Sequence, residues 1–519
     1  MSSRRYFLNQ SGALILGAGV LPSVTPFLET KKGMASATPE SQGVSSEAIL
    51  HYLQAANASG LEHHAFMLMR HGKVISEAYW NPFTPDHIHT LYSLSKSFTS
   101  TAIGMAVQEG RFKLTDKVIS FFPEHLPVSV SDYQARLEIR HLLNMASGHT
   151  SDTMGPMRAA EGVSWVKTFF DRPLEKEPGT HFLYNTGASY MCSAILTKVT
   201  GQKMFDYLTP RLFKPLGITQ ADWEESPEGV NVAGYGLRVT TRDIIKFGQL
   251  YLNKGLWQGK QLINTAYVDE ATTSHITSNP GDGDWSQGYG YQFWRCKPGF
   301  YRGDGAFGQF CIVMPQYDAV IAVNSESTDM QKQMTLLWDH ILPGIKDGPL
   351  KKDKSVQEKV LQFSNNLTLN AKLGESTSPL VKELNNQTYQ LKENPWGWHS
   401  IQINTSDQGG EIILNKSASA GAKIAIPFGW NAWISNSQRI LNPFSGDYRS
   451  LVPSMVAATA GTEGNDVLKI RLKYTEGIHG DLLTLNRLSN TGIEVTLLNS
   501  LAEKNPNTKE TRNKLTGII

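Results

Sequence analysis

A serine followed three positions later by a lysine, Ser93-Leu94-Ser95-Lys96, is the arrangement in this sequence best suited to covalent chemistry. A serine hydroxyl is a poor nucleophile at neutral pH and needs a base beside it. Helix positions three apart share a face, so Lys96 projects beside Ser93 one turn along. A lysine buried against apolar surface gives up its charge more readily and can then accept a proton. A serine at a helix mouth also offers its backbone N–H, at the positive helix end, to a developing oxyanion. The pattern alone is common, and a second copy exists: Ser164-Trp165-Val166-Lys167. Setting separates the two. Ser93–Glu109 reads as a helix opening on serines, with Ala102, Ile103, Ala106 and Val107 on helical spacing and a stop at Gly110. Ser164 lies in an amphipathic stretch between Gly162 and Pro173.

Such a pair needs elements to position it. Ala65–Trp80 reads as a β-hairpin turning at His71-Gly72-Lys73, and Gly43–Asn57 as a helix. From Leu114 to about Asp284, helical patterns alternate with Gly/Pro loops. Gly288–Trp294, Phe307–Met314 and Ala319–Asn324 then read as strands, and Met330–Leu342 as an amphipathic helix. Lys351–Pro379 is polar and charged and reads as a linker with some helix. Beyond about Leu384, two-residue alternation recurs in His399–Thr405, Glu411–Asn415, Lys423–Pro427, Leu468–Tyr474, Asp481–Leu485 and Ile493–Leu498. Short strands between turns predict an all-β domain, a sandwich or small barrel, and Glu503–Lys514 is expected to be loose. The expected division is 1–37, 38–346, 347–380 and 381–519.

A length of 519 residues suits two or three domains, and 40% hydrophobic with 18% charged residues supports a sizeable core. The net charge is +2; residues 1–37 carry +3, leaving a near-neutral body with no electrostatic case for nucleic acid. Ser3-Arg4-Arg5-Tyr6-Phe7-Leu8 matches the twin-arginine export pattern. The apolar run Ala13–Leu21 is too short to span a bilayer, and Ala35-Ser36-Ala37 is a small-x-small cleavage candidate. The expectation is export in the folded state to the periplasm or beyond, with no membrane span after signal removal. Cys192, Cys296 and Cys311 form no Cys-x-x-Cys pair, so buried thiols are expected, with room for one disulfide after export.

Leu91–Val118 resembles the first active-site motif of the serine β-lactamase and penicillin-binding protein superfamily, in its class C and D,D-peptidase-like branch. Arg140–His149 resembles that branch's leucine pair followed by Ser-Gly, and Glu177–Tyr184 the approach to its second motif. Leu212–Ile218 and Thr240–Asn253 are similar to its later signatures. The resemblance covers about Ser41–Leu342 and leaves the C-terminal third outside. It implies an α/β (α+β) fold, with an antiparallel sheet flanked by helices beside a mostly helical lobe and the site in the cleft between. The C-terminal all-β domain adds to this.

The family's second motif is Tyr-x-Asn or Ser-x-Asn, whose tyrosine shares a proton with the serine and donates to the leaving group. The resemblance carries that role to Tyr184, although the triplet is Tyr184-Asn185-Thr186, with a shorter hydrogen-bonder in Thr186. Two literal Tyr-x-Asn triplets, at Tyr79 and Tyr251, read as edge and core tyrosines. The third motif, Lys-Thr-Gly, Lys-Ser-Gly or His-x-Gly, occurs nowhere in the chain. Its equivalent is Gly303-Asp304-Gly305-Ala306-Phe307-Gly308-Gln309, with Gly303 in the cation's place and the Ala306 N–H as second oxyanion donor beside that of Ser93. Thr186, Gly303, Asp304 and Gly305 are then the candidate substrate-binding residues. The family's cation helps hold a substrate carboxylate. Glycine there, with Asp304 beside it, shifts the implied activity toward esters or amides of neutral or cationic substrates.

Other signals are weaker. Asp86-His87-Ile88-His89 has a His-x-His pair without the further ligands of a metallo-hydrolase. There is no Gly-x-Ser-x-Gly elbow and no phosphate-binding glycine loop. The pairs Trp396/Trp398 and Trp430/Trp433 either fill a β core or line a sugar or peptide groove. The reading is a serine hydrolase acting on a small-molecule or peptide-like substrate through an acyl-enzyme on Ser93. Lys96 and Tyr184 handle protons, their division of labour open, and no metal or organic cofactor is required. Its rivals are a β-lactamase or D,D-carboxypeptidase, and a non-catalytic cell-wall or glycan-binding protein.

Overall fold

The computed structural model describes residues 34–376, 378–416, 423–445, 452–505 and 507–519; the twin-arginine segment lies outside them. The hairpin forms as its sequence predicts, from strands β1 (Glu62–Arg70) and β2 (Lys73–Tyr79), and turns at His71 and Gly72, both at positive φ. β1 is sandwiched and buried on both faces. Phe66 and Leu68 face one apolar cluster, with helix α1 (Ser46–Ala58), while Met67 and Met69 face another, with helix α2 (Ser95–Gln108). Period-two alternation puts neighbouring residues of one strand into two cores.

Further helices are α3 (Thr186–Thr200) and α4 (Thr241–Leu252). Strands β3 (Trp294–Arg295), β4 (Tyr301–Gly305), β5 (Gln309–Met314) and β6 (Ala319–Glu326) complete an antiparallel sheet of order β2-β1-β6-β5-β4-β3. Gly288–Trp294, expected as a strand, contributes only its last residue to β3. Gly288 and Gln292 stand at positive φ, and Tyr289 makes isolated bridges to Ile276 and Trp294. Helix α5 (Met330–His340) packs on α1, and α4 lies against β1, β5 and β6. The segment expected as a linker carries helix α6 (Lys354–Asn365), which also packs on α1, and its Leu367 and Leu369 join the α1-side core.

The C-terminal region is a closed barrel. Its strands are β7 (Gln387–Leu391), β8 (Ser400–Ser406), β9 (Gly409–Asn415), β10 (Lys423–Trp430), β11 (Ile434–Ser435), β12 (Val456–Glu463), β13 (Val467–Tyr474), β14 (Gly480–Arg487), β15 (Gly492–Asn499) and β16 (Leu515–Ile518). Neighbours run β10-β9-β8-β7-β16-β15-β14-β13-β12-β11, and β10 pairs with β12 in parallel to close the ring. The interior is filled by side chains that include Trp398 and Trp430. Trp396 packs edge-on against Phe444, and Trp433 joins the apolar cluster of the first domain. The four tryptophans therefore line no common groove. The segment expected to be loose begins on the last turn of a short helix, Ser500–Lys504, and its Arg512 pairs with Asp481. All three cysteines are buried free thiols, so no disulfide joins them.

Candidate active site

Ser93 sits on a single 3-10 turn, Tyr92–Leu94, that leads directly into α2. Its N–H stands at the mouth of that turn, ahead of the intrahelical acceptors. The first three turns of α2 are buried, which its small residues permit. Its buried hydroxyls are all engaged: Ser97 Oγ donates to Gln292 O (2.9 Å), Thr99 Oγ1 to Ala233 O (3.0 Å), and Thr101 pairs with the Tyr251 hydroxyl (2.7 Å).

Lys96 is 1% exposed. Its Nζ donates to Ser93 Oγ at 3.0 Å and to Gly234 O at 2.7 Å. Burial pulls the amine down to about 7, against the opposing pull of Asp152 and Asp304. The Gly234 acceptor is held by a close approach, because a Cβ there would lie 2.5 Å from the Thr186 methyl.

Tyr184 arrives from another element, one residue before the N-cap of α3. Asn185 is that cap, fully buried, and its Oδ1 accepts from Gly187 N, Thr153 N and Thr153 Oγ1. The Tyr184 ring lies 4.8 Å from Lys96 Nζ and stacks on Trp294 (5.6 Å, 22°) beside Phe182 and Tyr289. Burial pushes the phenol's pKa well up, partly offset by the Ser93 hydroxyl. Ser93, Lys96 and Tyr184 are thus gathered at one point.

The third-motif segment differs from its expected orientation. Asp304 is locked to Arg302 (Nε–Oδ2 2.8 Å), and Arg302 is itself fully buried, so the carboxylate does not stand free to repel a substrate. Burial raises Asp304 to about 6, with Arg302 acting against it. A Cβ on Gly303 would meet Leu94 Cδ1 at 2.3 Å and Ser97 Oγ at 2.7 Å, and one on Gly305 would meet Leu91 O at 2.1 Å. The missing side chains of both glycines therefore face α2 and the nucleophile turn, not the cleft. Glycine here lets β4 press against that turn, and a lysine at 303 would have no room without repacking. Ala306 begins the β4–β5 turn, and its amide makes no hydrogen bond among the described residues.

Thr186 opens α3, with its methyl beside Gly234 and its N–H donating to Asp152 Oδ1 (2.9 Å). Asp152 is exposed, and its charge acts on both Lys96 and Tyr184. Sequence reasoning missed Asp152, Gly234 and Trp294. Two sit in loops without a motif, and Trp294 lay at the end of an expected strand. The second Ser-x-x-Lys lies elsewhere, with Lys167 paired to Asp171 (2.7 Å) on the surface. His89 is buried and bonded to His64 (2.9 Å), and no group of three or more metal-type ligands occurs among the described residues.

Residues 51–343, more than half of the sequence, match the family model described as Beta-lactamase. The chain belongs to the β-lactamase family. It is a β-lactamase-family hydrolase. It is 25% identical over 303 residues to the 6-aminohexanoate-dimer hydrolase of Paenarthrobacter ureafaciens, covering 54% of this chain and 76% of that protein. It is 25% identical over 223 residues to protein flp of Staphylococcus aureus, covering 40% of this chain and 44% of flp. Among solved structures, the octameric penicillin-binding protein homologue from Pyrococcus abyssi aligns at 16% identity with a TM-score of 0.44, covering 91% of this chain and 99% of that one.

Proposed function

We propose that this β-lactamase-family hydrolase cleaves ester or amide bonds through an acyl-enzyme on Ser93. The observation that carries the reading is the Lys96 Nζ–Ser93 Oγ hydrogen bond of 3.0 Å, made by an amine that burial brings down to about 7. Neutral Lys96 takes the Ser93 proton as Oγ attacks the carbonyl, and the N–H groups of Ser93 and Ala306 receive the oxyanion. Tyr184, whose pKa is raised, stays protonated and gives its proton to the departing alcohol or amine; Lys96 then restores it. Water attacks the acyl group by the same route in reverse, and Ser93 leaves with its proton. The opposed pKa directions favour Lys96 as the base and Tyr184 as the acid.

Neutral or cationic substrates are favoured. No lysine or histidine occurs in Gly303–Gln309, the segment equivalent to the family's third motif, and Asp152 presents an exposed carboxylate at the Thr186 end of the site. The first relative's name, 6-aminohexanoate-dimer hydrolase, is in keeping with this. We place the protein outside the inner membrane on the strength of its Arg4-Arg5 export pattern. Among the described residues no helix is long and apolar enough to cross a membrane.

The test is labelling of wild type and Ser93→Ala by a fluorophosphonate, followed by an ester, amide and β-lactam panel. Labelling of wild type alone, with ester or amide turnover, is the expected result. Labelling that survives in Ser93→Ala moves the nucleophile elsewhere. Turnover confined to β-lactams favours the β-lactamase reading, and no labelling of either form favours the binding protein.

A further inference from the structure

The barrel reaches the nucleophile turn through Thr475–His479, the connection between β13 and β14. Glu476 O accepts from Thr90 N (3.1 Å) and from Thr90 Oγ1 (3.3 Å). His479 Nε2 lies 2.8 Å from the Tyr92 hydroxyl, and His479 Nδ1 lies 2.7 Å from Glu326 Oε1 at the end of β6. Burial alone would raise the Glu326 carboxyl, but Lys473, His479 and Lys504 hold it well below its usual range, so it is ionised. A carboxylate only accepts, so His479 Nδ1–H donates to it, and in the neutral ring Nε2 then accepts from the Tyr92 hydroxyl. The His479 ring also meets Phe307 edge to face at 5.0 Å, and Phe307 meets Tyr92 at 5.5 Å.

What these partners adjoin gives the contacts their meaning. Tyr92 immediately precedes Ser93 and holds φ at +47°; Phe307 immediately follows Ala306 and holds φ at +64°. Both are bulky residues in the left-handed region, which persists only where surroundings over-determine it. The two amides assigned to the oxyanion therefore each adjoin a strained aromatic residue, and both aromatics rest on one imidazole from the other domain. The connection that carries it is braced in turn: Arg439 makes a two-pronged pair with Glu476 at 2.6 Å, and Glu476 Oε2 accepts from Met455 N (3.1 Å).

We propose that His479 is a positioning residue of the active site, through which the β-barrel domain holds the Tyr92–Ser93 turn and the Ala306–Phe307 turn at the spacing an oxyanion requires. The inference rests on the serine-hydrolase reading above. It gives the C-terminal domain, which the family motifs do not cover, a part in the reaction. Oxyanion contacts act in the transition state more than in the bound substrate, so their loss lowers kcat and leaves KM.

The experiment measures p-nitrophenyl ester hydrolysis and thermal melting for full-length wild type, Ser93→Ala, Tyr92→Phe, His479→Phe, His479→Gln and the double variant Tyr92→Phe/His479→Phe. Tyr92→Phe removes one oxygen and keeps the ring, so it decides the matter if a His479 variant does not fold. The inference predicts that Tyr92→Phe and His479→Phe each lower kcat by about tenfold or more, with KM within about twofold. The double variant falls no further than the worse single, because both cut the same hydrogen bond. His479→Gln, which keeps a donor and an acceptor, recovers part of the loss. Wild-type kcat in Tyr92→Phe and folded His479→Phe, with Ser93→Ala inactive, overturns the inference and leaves the hydrolase reading standing. Additive losses in the double variant also overturn it. Full turnover by Ser93→Ala overturns the hydrolase reading itself.

Discussion

Arg302 and Asp304, two positions apart on one face of β4, form a buried ion pair, Nε to Oδ2 2.8 Å. Arg302 also donates to Asp284 O and Arg295 O and lies over the ring of Trp285. The strand that carries a substrate-holding cation in the family's third motif here spends its charges on itself.

Breaking that pair protonates a buried carboxyl. Arg302→Met leaves Asp304 without its partner, so its carboxyl, already raised to about 6, takes up a proton, and the variant should lose about 1–3 kcal/mol of unfolding free energy, read by denaturant titration. Arg302→Met/Asp304→Asn should recover most of the loss. A single variant as stable as wild type contradicts the pairing.

The pH profile follows from Lys96. With neutral Lys96 as the proposed base, kcat/KM should rise with pH through about 7. Asp152 raises the amine's pKa from an exposed position. Asp152→Asn should therefore move this limb to lower pH, by about a few tenths of a unit. A rate–pH titration in which the limb moves upward contradicts the assignment.

Tyr184→Phe should separate leaving groups. A p-nitrophenolate departs without a proton, whereas an amine needs one. Loss of the phenol should cost amide cleavage about 100-fold or more in kcat and cost the nitrophenyl ester less. Equal losses on both substrates would assign Tyr184 a packing role against Trp294.

The domain junction should be acid-sensitive. Glu62 and Glu326 share Lys473 and Lys504 across it. Burial opposes their ionisation, yet these lysines, with His64 at Glu62 and His479 at Glu326, hold both carboxyls well below their usual range. Carboxylates with depressed folded pKa values add stability above the unfolded value and lose it as pH falls. The melting temperature of wild type should fall below about pH 4.5. Lys473→Met should already melt lower at neutral pH and show a shallower acid slope; a steeper one contradicts the clamp.

Local patterns made the Ser93–Lys96 pair legible. Ser93 and Lys96 meet because helix periodicity is a three-residue matter, and Tyr184 came from a family motif that ends where α3 begins. The orientation of Gly303 was not legible, because the face a strand residue presents depends on its register with neighbours far along the chain. β12 was also missed. Val456-Ala457-Ala458-Thr459-Ala460-Gly461-Thr462 is buried on both faces and shows no polar alternation, since residues 371–375 cover it from outside. His479 lies 387 positions beyond Tyr92, and nothing local to either residue signals their contact. The segment 347–380 reads as a linker by its charge, yet Gln357 bonds to the buried Glu40 at 2.5 Å and ties α6 to the first domain.

The central claim is that Ser93 carries the acyl group. Wild type mixed with a slowly deacylating ester, quenched in acid and digested, should show one acyl mass increment on the peptide containing Ser93, and Ser93→Ala should show none and turn over no substrate. An increment on any other residue, or steady turnover by Ser93→Ala, would contradict the account.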